Sequence, residues 1–266
     1  MNSIRRNAWL GWIGLACLLL VAGGCGKLKA RDQLNKGVAA YKNGKYPVAI
    51  DFFKSAVELD PTLLNAKLYL ATAYANRFVP GVEDEENVKF ADQAVSVFQG
   101  ILKEDPNNIA SITGIASLYF QMKKMDEAKE FYKKQIALDP ASSDAYYSIG
   151  VIDWTLVYRP RMELRARLKI TKPEDPIKDD KERKALAEKS LPLIEEGMNS
   201  LNKAMELKPD YDDAMAYLNL LYREKADLED AADTREADLK TADSWMDKTL
   251  EIKKKKAAKP TPGHTS

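Results

Sequence analysis

Residues 37–61 read GVAAYKNGKYPVAIDFFKSAVELDP. Apolar residues fall here at helical rather than strand spacing, and Asn43-Gly44 interrupts them with a turn signature. Asp60-Pro61 closes the stretch, because proline lacks an N–H and pushes the residue before it out of helical geometry. The spacing predicts a helix over Arg31–Lys42, a turn, and a second helix over Pro47–Leu59. Two antiparallel helices approach closely only where side chains are small, and Gly37, Ala49 and Ala56 supply such places. Tyr46 and Phe53 are large enough to fill the space left between them.

Working outward, Asp-Pro recurs at 105–106 and 139–140, with Lys208-Pro209 as a variant. Of the intervals between these prolines, only the one from Pro106 to Pro140 is a bare repeat, and the other two carry extra sequence. The same residue types return in phase: Tyr74, Ala94, Phe98 and Pro106, then Ala116, Tyr119, Ala128, Tyr132 and Pro140. A fourth set begins with Tyr146, Ile149 and Gly150 and resumes at Pro192 with Gly197, Leu201, Ala204 and Pro209. The pattern resembles the tetratricopeptide repeat, a helix–turn–helix unit of about 34 residues. It implies an all-α helical solenoid over residues 30–252, with units at 30–63, 64–108, 109–142, 143–211 and 212–252. The second unit carries extra residues around Asn76–Glu86. The fourth carries an insertion at about 158–190 that concentrates Arg159, Arg161, Arg165 and Arg167 and ends in a charged helix over about Lys178–Lys189. That insertion is expected to project as a solvated helical hairpin and to serve recognition. Residues 253–266 read as a flexible basic, proline-containing tail.

Composition narrows the function. The 266 residues hold 41 Lys plus Arg against 40 Asp plus Glu, which gives no electrostatic reason to expect nucleic acid as a partner. The single His, His264, lies at the extreme end, and both cysteines, Cys17 and Cys25, lie close to the N-terminus. The body therefore has no His/Cys set for a zinc site or a nucleophile, and no Gly-rich phosphate loop. The expectation is a non-enzyme with no catalytic residues, no metal and no cofactor. Glu83-Asp84-Glu85-Glu86 reads as the acidic start of a helix rather than a cation site.

The segment 1–24 combines Arg5 and Arg6, no acid, an apolar run over Ala8–Ala22 and a small-residue end. This is the layout of a secretory signal peptide. Val-Ala-Gly-Gly-Cys, residues 21–25, resembles the lipobox of bacterial lipoproteins, with Ala22 where the family prefers Leu. The resemblance implies cleavage before Cys25, lipid (palmitate among the acyl chains) on that residue, and a short linker over 25–29. An uncleaved signal anchor is the alternative, since the run is just long enough to span a bilayer. Either outcome places the body in the cell envelope, and Gly26 after Cys25 favours the periplasmic side of the outer membrane. Lys27, Lys29 and Arg31 follow the attachment point and are placed to meet anionic headgroups.

In this repeat family the first helix of each unit lines a concave face that holds a partner's peptide or helix. The resemblance carries that role onto Leu34, Val38 and Tyr41 in the first unit, Leu68 and Thr72 in the second, Thr113, Ser117 and Phe120 in the third, and Tyr147, Val151 and Trp154 in the fourth. Chaperone-binding members clamp a terminal carboxylate with Lys and Asn at the places of Leu34 and Val38, so that clamp is missing here. The apolar, aromatic lining suits hydrophobic side chains of a protein partner, although rings at helical spacing serve equally as intramolecular core. The layout is similar to that of repeat lipoproteins assisting outer-membrane or pilus assembly, and self-association through the solenoid ends is the second reading.

Overall fold

The computed structural model describes residues 26–172 and 175–258. The leader assigned to 1–24, the lipid attachment at Cys25 and the end of the tail at 259–266 lie outside the described residues. All regular structure among those described is helical: α1 (26–42), α2 (Tyr46–Leu59), α3 (Leu64–Ala75), α4 (Glu85–Glu104), α5 (Ile109–Gln121), α6 (Met125–Leu138), α7 (Ser143–Arg167), α8 (Asp180–Leu207), α9 (Asp212–Ala226) and α10 (Ala232–Ala258). The helices form two compact units that divide between Lys123 and Lys124.

In the first unit α1 pairs with α2 through the expected small-to-large fit. Gly37 faces Phe53, and a Cβ on Gly37 would sit 2.4 Å from the Phe53 ring. Ala49, Phe53 and Ala56 are wholly buried. The turn between the helices places Gly44 at φ +70°, a backbone state that residues with a Cβ enter at a cost. The corresponding turn of the third repeat fills this place with Lys123 at φ +59°. Residues 26–29, expected as linker, are already helical and belong to α1.

The extra residues of the second repeat form a turn between α3 and α4 organised by Asn87, which is 7% exposed. Its Oδ1 accepts from the Val79 N–H at 2.7 Å, while its Nδ2 donates to the carbonyls of Val79 (2.9 Å) and Val82 (2.7 Å). Asp84 caps α4 by accepting from the Asn87 N–H, and Glu85 and Glu86 occupy the first turn, where acids complement the helix dipole.

In the second unit the insertion does not project as a solvated hairpin. It lengthens both helices of the fourth repeat, α7 to 25 residues and α8 to 28. α8 runs unbroken from Asp180 through Pro192, joining the charged helix to the one that follows. The reason lies in what its arginines meet. Arg165 is 4% exposed and donates to Asp227 Oδ2 at 2.8 Å and to the carbonyls of Lys172 and Asp175. Arg161 pairs with Asp227 at 2.8 Å and with Glu224, and Arg183 pairs with Asp180 and Asp230. Leu164, Ile177 and Leu186 are buried in one core with Leu218, Leu221 and Leu228. Charge density alone suggested solvent, yet apolar residues at helical spacing between the arginines face inward, and acids from α9 and the turn after it neutralise the guanidinium groups.

α10 also departs from expectation, because it continues through the lysine run to Ala258. Lys256 donates to Asp212 at 2.5 Å and Lys253 lies 3.8 Å from Asp213, so the acidic start of α9 anchors what read as tail.

Candidate functional site

The first helices of successive repeats touch one another in both units, α3 with α5 and α7 with α9. In the first unit this leaves a cavity of about 440 Å³ between α3 and α5. Leu68 and Thr72 form one wall and Thr113 and Ser117 the other, so four residues assigned from the sequence to the concave lining meet around one space. Phe98 is the floor, admitted because Gly114 lacks a side chain: a Cβ there would lie 2.6 Å from the ring. Asn76 and Gln121 are also in the lining, and none of its side chains is ionised at neutral pH. Their polar atoms are partly committed. Gln121 Nε2 donates to Ser117 Oγ at 3.0 Å, Thr72 Oγ1 donates to the Leu68 carbonyl at 2.8 Å, and Asn76 Nδ2 donates to the Tyr41 hydroxyl.

Leu34, Val38 and Tyr41 are half-buried on α1. Tyr41 meets Tyr46 edge-on at 5.3 Å and Tyr69 at 6.2 Å, so it bridges three helices. Burial, reinforced by Tyr46, raises its hydroxyl above the ordinary phenol range. Phe120 is half-buried and stands outside the cavity lining.

In the second unit Tyr147 and Trp154 both rest on the core and remain half-exposed. Their spacing puts them on one helix face, and the structure adds Tyr217 of α9 between them. Tyr217 lies 5.7 Å from Tyr147 and 5.4 Å from Trp154, edge-on to each. Tyr211 extends the row 4.9 Å from Tyr147 and donates its hydroxyl proton to Asp144 at 2.9 Å, while Tyr158 meets Trp154 at 4.9 Å. Five aromatic rings thus form a continuous ladder, with burial as the main cause that raises the hydroxyl pKa of Tyr147, Tyr211 and Tyr217. Val151 does not join it. At 6% exposure Val151 is interior, which corrects its assignment as a partner-facing residue.

Behind the ladder lie two buried charge clusters whose members no sequence pattern pairs. Asp153, wholly buried, accepts from Lys129 at 2.5 Å, and Lys129 also reaches Glu196 at 2.8 Å. Burial pushes the Asp153 carboxyl up to about 6 against the pull of Lys129. In the other cluster burial pushes Glu224 up to about 7 against the pull of Arg161. Among the described residues no group of His, Cys, Asp or Glu is arranged to hold a metal ion.

Tyr211 and Tyr217 escaped sequence reading because they fall off the intervals at which lining residues follow the proline in the other repeats, and the fifth repeat also lacks the usual small residue. Asn219 follows Pro209 at the interval at which Gly150 follows Pro140. It is 1% exposed and donates to the Ala242 carbonyl of α10 at 2.6 Å. Counting from Pro209 at the intervals of the other repeats reaches Ala216, Leu220 and Arg223, so register alone does not find the two tyrosines.

Two stretches match the tetratricopeptide repeat family, residues 33–63 and residues 91–149. No curated protein matches the chain. Among solved structures, a MamA protein aligns at 16% identity and a TM-score of 0.59 over 88% of this chain and 97% of its own. MamA from Desulfovibrio magneticus RS-1, from residue 41 to its end, aligns at 18% identity and a TM-score of 0.59 over 86% of this chain and 98% of that one. The chain carries tetratricopeptide repeats in an all-α fold, an architecture that serves as a protein-interaction scaffold.

Proposed function

We propose that this repeat protein is an adaptor tethered by lipid to the outer membrane of the bacterial cell envelope, where it holds a peptide or helix of a protein partner along its first-helix face. The observation that carries the binding role is the aromatic ladder of Tyr147, Tyr217 and Trp154, set across two first helices with each ring half-exposed. Rings held this way offer large contact area at little rotamer cost and act as anchors for apolar side chains. The uncharged cavity between α3 and α5 offers a second place of the same character. Support for the tether is the sequence Val-Ala-Gly-Gly-Cys ending at Cys25.

Two measurements test the reading. A photo-crosslinking residue at Tyr217 should capture a distinct envelope protein, whereas one at Lys240, on α10, should not. Capture of only a second copy of this chain would replace the adaptor role by self-association. Cys25→Ser should abolish metabolic palmitate labelling and release the protein from membranes, and labelling that persists would place the attachment elsewhere.

A further inference from the structure

The start of α1 shares one edge of the first unit with the turns that join successive repeats. Gly26 lies against the end of α2, where a Cβ would stand 3.6 Å from the Leu59 carbonyl. Asp60 is held below the ordinary carboxylate range first by hydrogen bonds from Thr62 and then by Lys27 and Arg31, which places both cations beside that turn. Further along the edge, Lys67 at the start of α3 reaches Glu104 at the end of α4 at 2.7 Å.

Leu28 is 72% exposed on this edge, the most open large apolar side chain among the described residues. Lys27 and Lys29 flank it and Arg31 follows one turn on. Leu59 and Leu64 stand open nearby, at 39% and 41%. Leu59 alone says little, because Leu138 and Leu207 end the corresponding helices of other repeats and are similarly open. Leu28 has no such counterpart, since it precedes the first residue of the repeat pattern.

We infer that this edge rests on the membrane surface, with Leu28 seated at the boundary between headgroups and acyl chains and Lys27, Lys29 and Arg31 against anionic headgroups. The inference rests on the proposed tether at Cys25. Its physical basis is the short reach between the two: residues 26–28 are already helical, so a lipid on Cys25 would be attached only three residues from Leu28. An apolar side chain between cations matches a lipid interface, where the ring of charge meets phosphate and the apolar group leaves water. Glu58 and Asp60 on α2 and its turn, together with Glu104 beyond them, oppose deep insertion, so the contact is shallow.

The test uses the full chain, produced with its leader and placed in vesicles of phosphatidylethanolamine and phosphatidylglycerol. A benzophenone amino acid replaces Leu28, or Val79 as control, since Val79 is 54% exposed but follows the far end of α3. Crosslinking to phospholipid should be at least fivefold greater from position 28. Lys27→Glu, Lys29→Glu and Arg31→Glu together should reduce the yield at position 28 severalfold while leaving the helical signal unchanged. The mass of the N-terminal peptide reports the tether independently. Equal low yields at both positions on a chain that carries lipid on Cys25 would overturn the edge contact and leave the tether standing. Low yields without lipid on Cys25 would overturn both, and a high yield at position 28 from an uncleaved leader would keep the contact and overturn the lipid.

Discussion

The Leu201 side chain sits on Gly150, where a Cβ would lie 2.4 Å from its Cγ. It is the same fit that joins Phe53 to Gly37 in the first repeat, although there only a turn separates the partners and here the whole insertion does. The added sequence lies between the two contacts and leaves the helix crossing unchanged. Substituting Gly150→Ala should therefore destabilise the second unit by about 1–3 kcal/mol, the usual cost of overpacking a close approach. Denaturant unfolding of the single variants and of the pair with Leu201→Ala checks this. A double variant less stable than the sum of its parts would contradict direct contact.

Backbone strain at Lys123 makes an opposite prediction. Both Gly44 and Lys123 hold positive φ, but only Lys123 carries a Cβ there. Lys123→Gly should raise stability by up to about 1 kcal/mol, the relief of strain being partly offset by the freer unfolded chain. Gly44→Ala should lower it by a similar amount. Melting temperatures of both variants beside the parent decide the matter.

Asp227 holds two arginines, Arg161 and Arg165, and is itself 4% exposed. Asp227→Ala leaves buried cations short of a partner and should cost about 3–5 kcal/mol. Deleting residues 158–190 should likewise unfold the second unit rather than trim a surface ornament. Retention of a full helical signal and melting temperature after that deletion would show that the buried network contributes nothing.

Glu224 sets a pH dependence whose sign follows from its environment. Its folded pKa is raised from 4.5 to about 7, so the folded state binds more protons than the unfolded state between those values. The stability associated with this group is therefore greatest below pH 4.5 and falls as pH rises towards 7, by about 1.4 kcal/mol for each unit of separation. Glu224→Gln should flatten the stability profile over that range. Unfolding free energies at closely spaced pH values across this window measure the slope.

Trp154 serves core and surface together, which separates it from a wholly buried ring. Trp154→Ala should cost about 1.5–3 kcal/mol of stability, below the roughly 3–5 kcal/mol typical of full burial, and should weaken partner binding by about tenfold or more. Affinity and melting temperature taken on the same samples distinguish the two contributions.

The repeat was legible because its determinants are local. Gly37, Ala49, Phe53 and Pro61 announce one helix pair without reference to the rest of the chain, and Leu68, Thr72, Thr113 and Ser117 follow from counting in register. The insertion was misread because its arginines are neutralised from far along the chain, Arg165 by Asp227 above all, and no periodicity reveals which distant acid meets a cation. The same blindness hid Asp153, whose burial depends on Lys129 and Glu196 from two other helices. Val151 failed for a smaller reason, since the resemblance gives its place on the helix but not how deep its neighbours leave it.

The lengthened α7–α8 pair combines two kinds of cohesion. Near its crossing, glycine and leucine hold it by exclusion of water, a force that weakens on cooling and levels off with heat. Towards Arg165 the apolar core is joined by desolvated ion pairs with Asp227, whose hydration penalty shrinks as temperature rises. The hairpin therefore combines contacts of opposite thermal dependence, with the ion pairs of Arg161 and Arg165 gathered at its far end. Cooling weakens the apolar contacts and warming favours the ion pairs, so amide exchange followed across temperature would show protection around Arg165 gaining on that around Leu201.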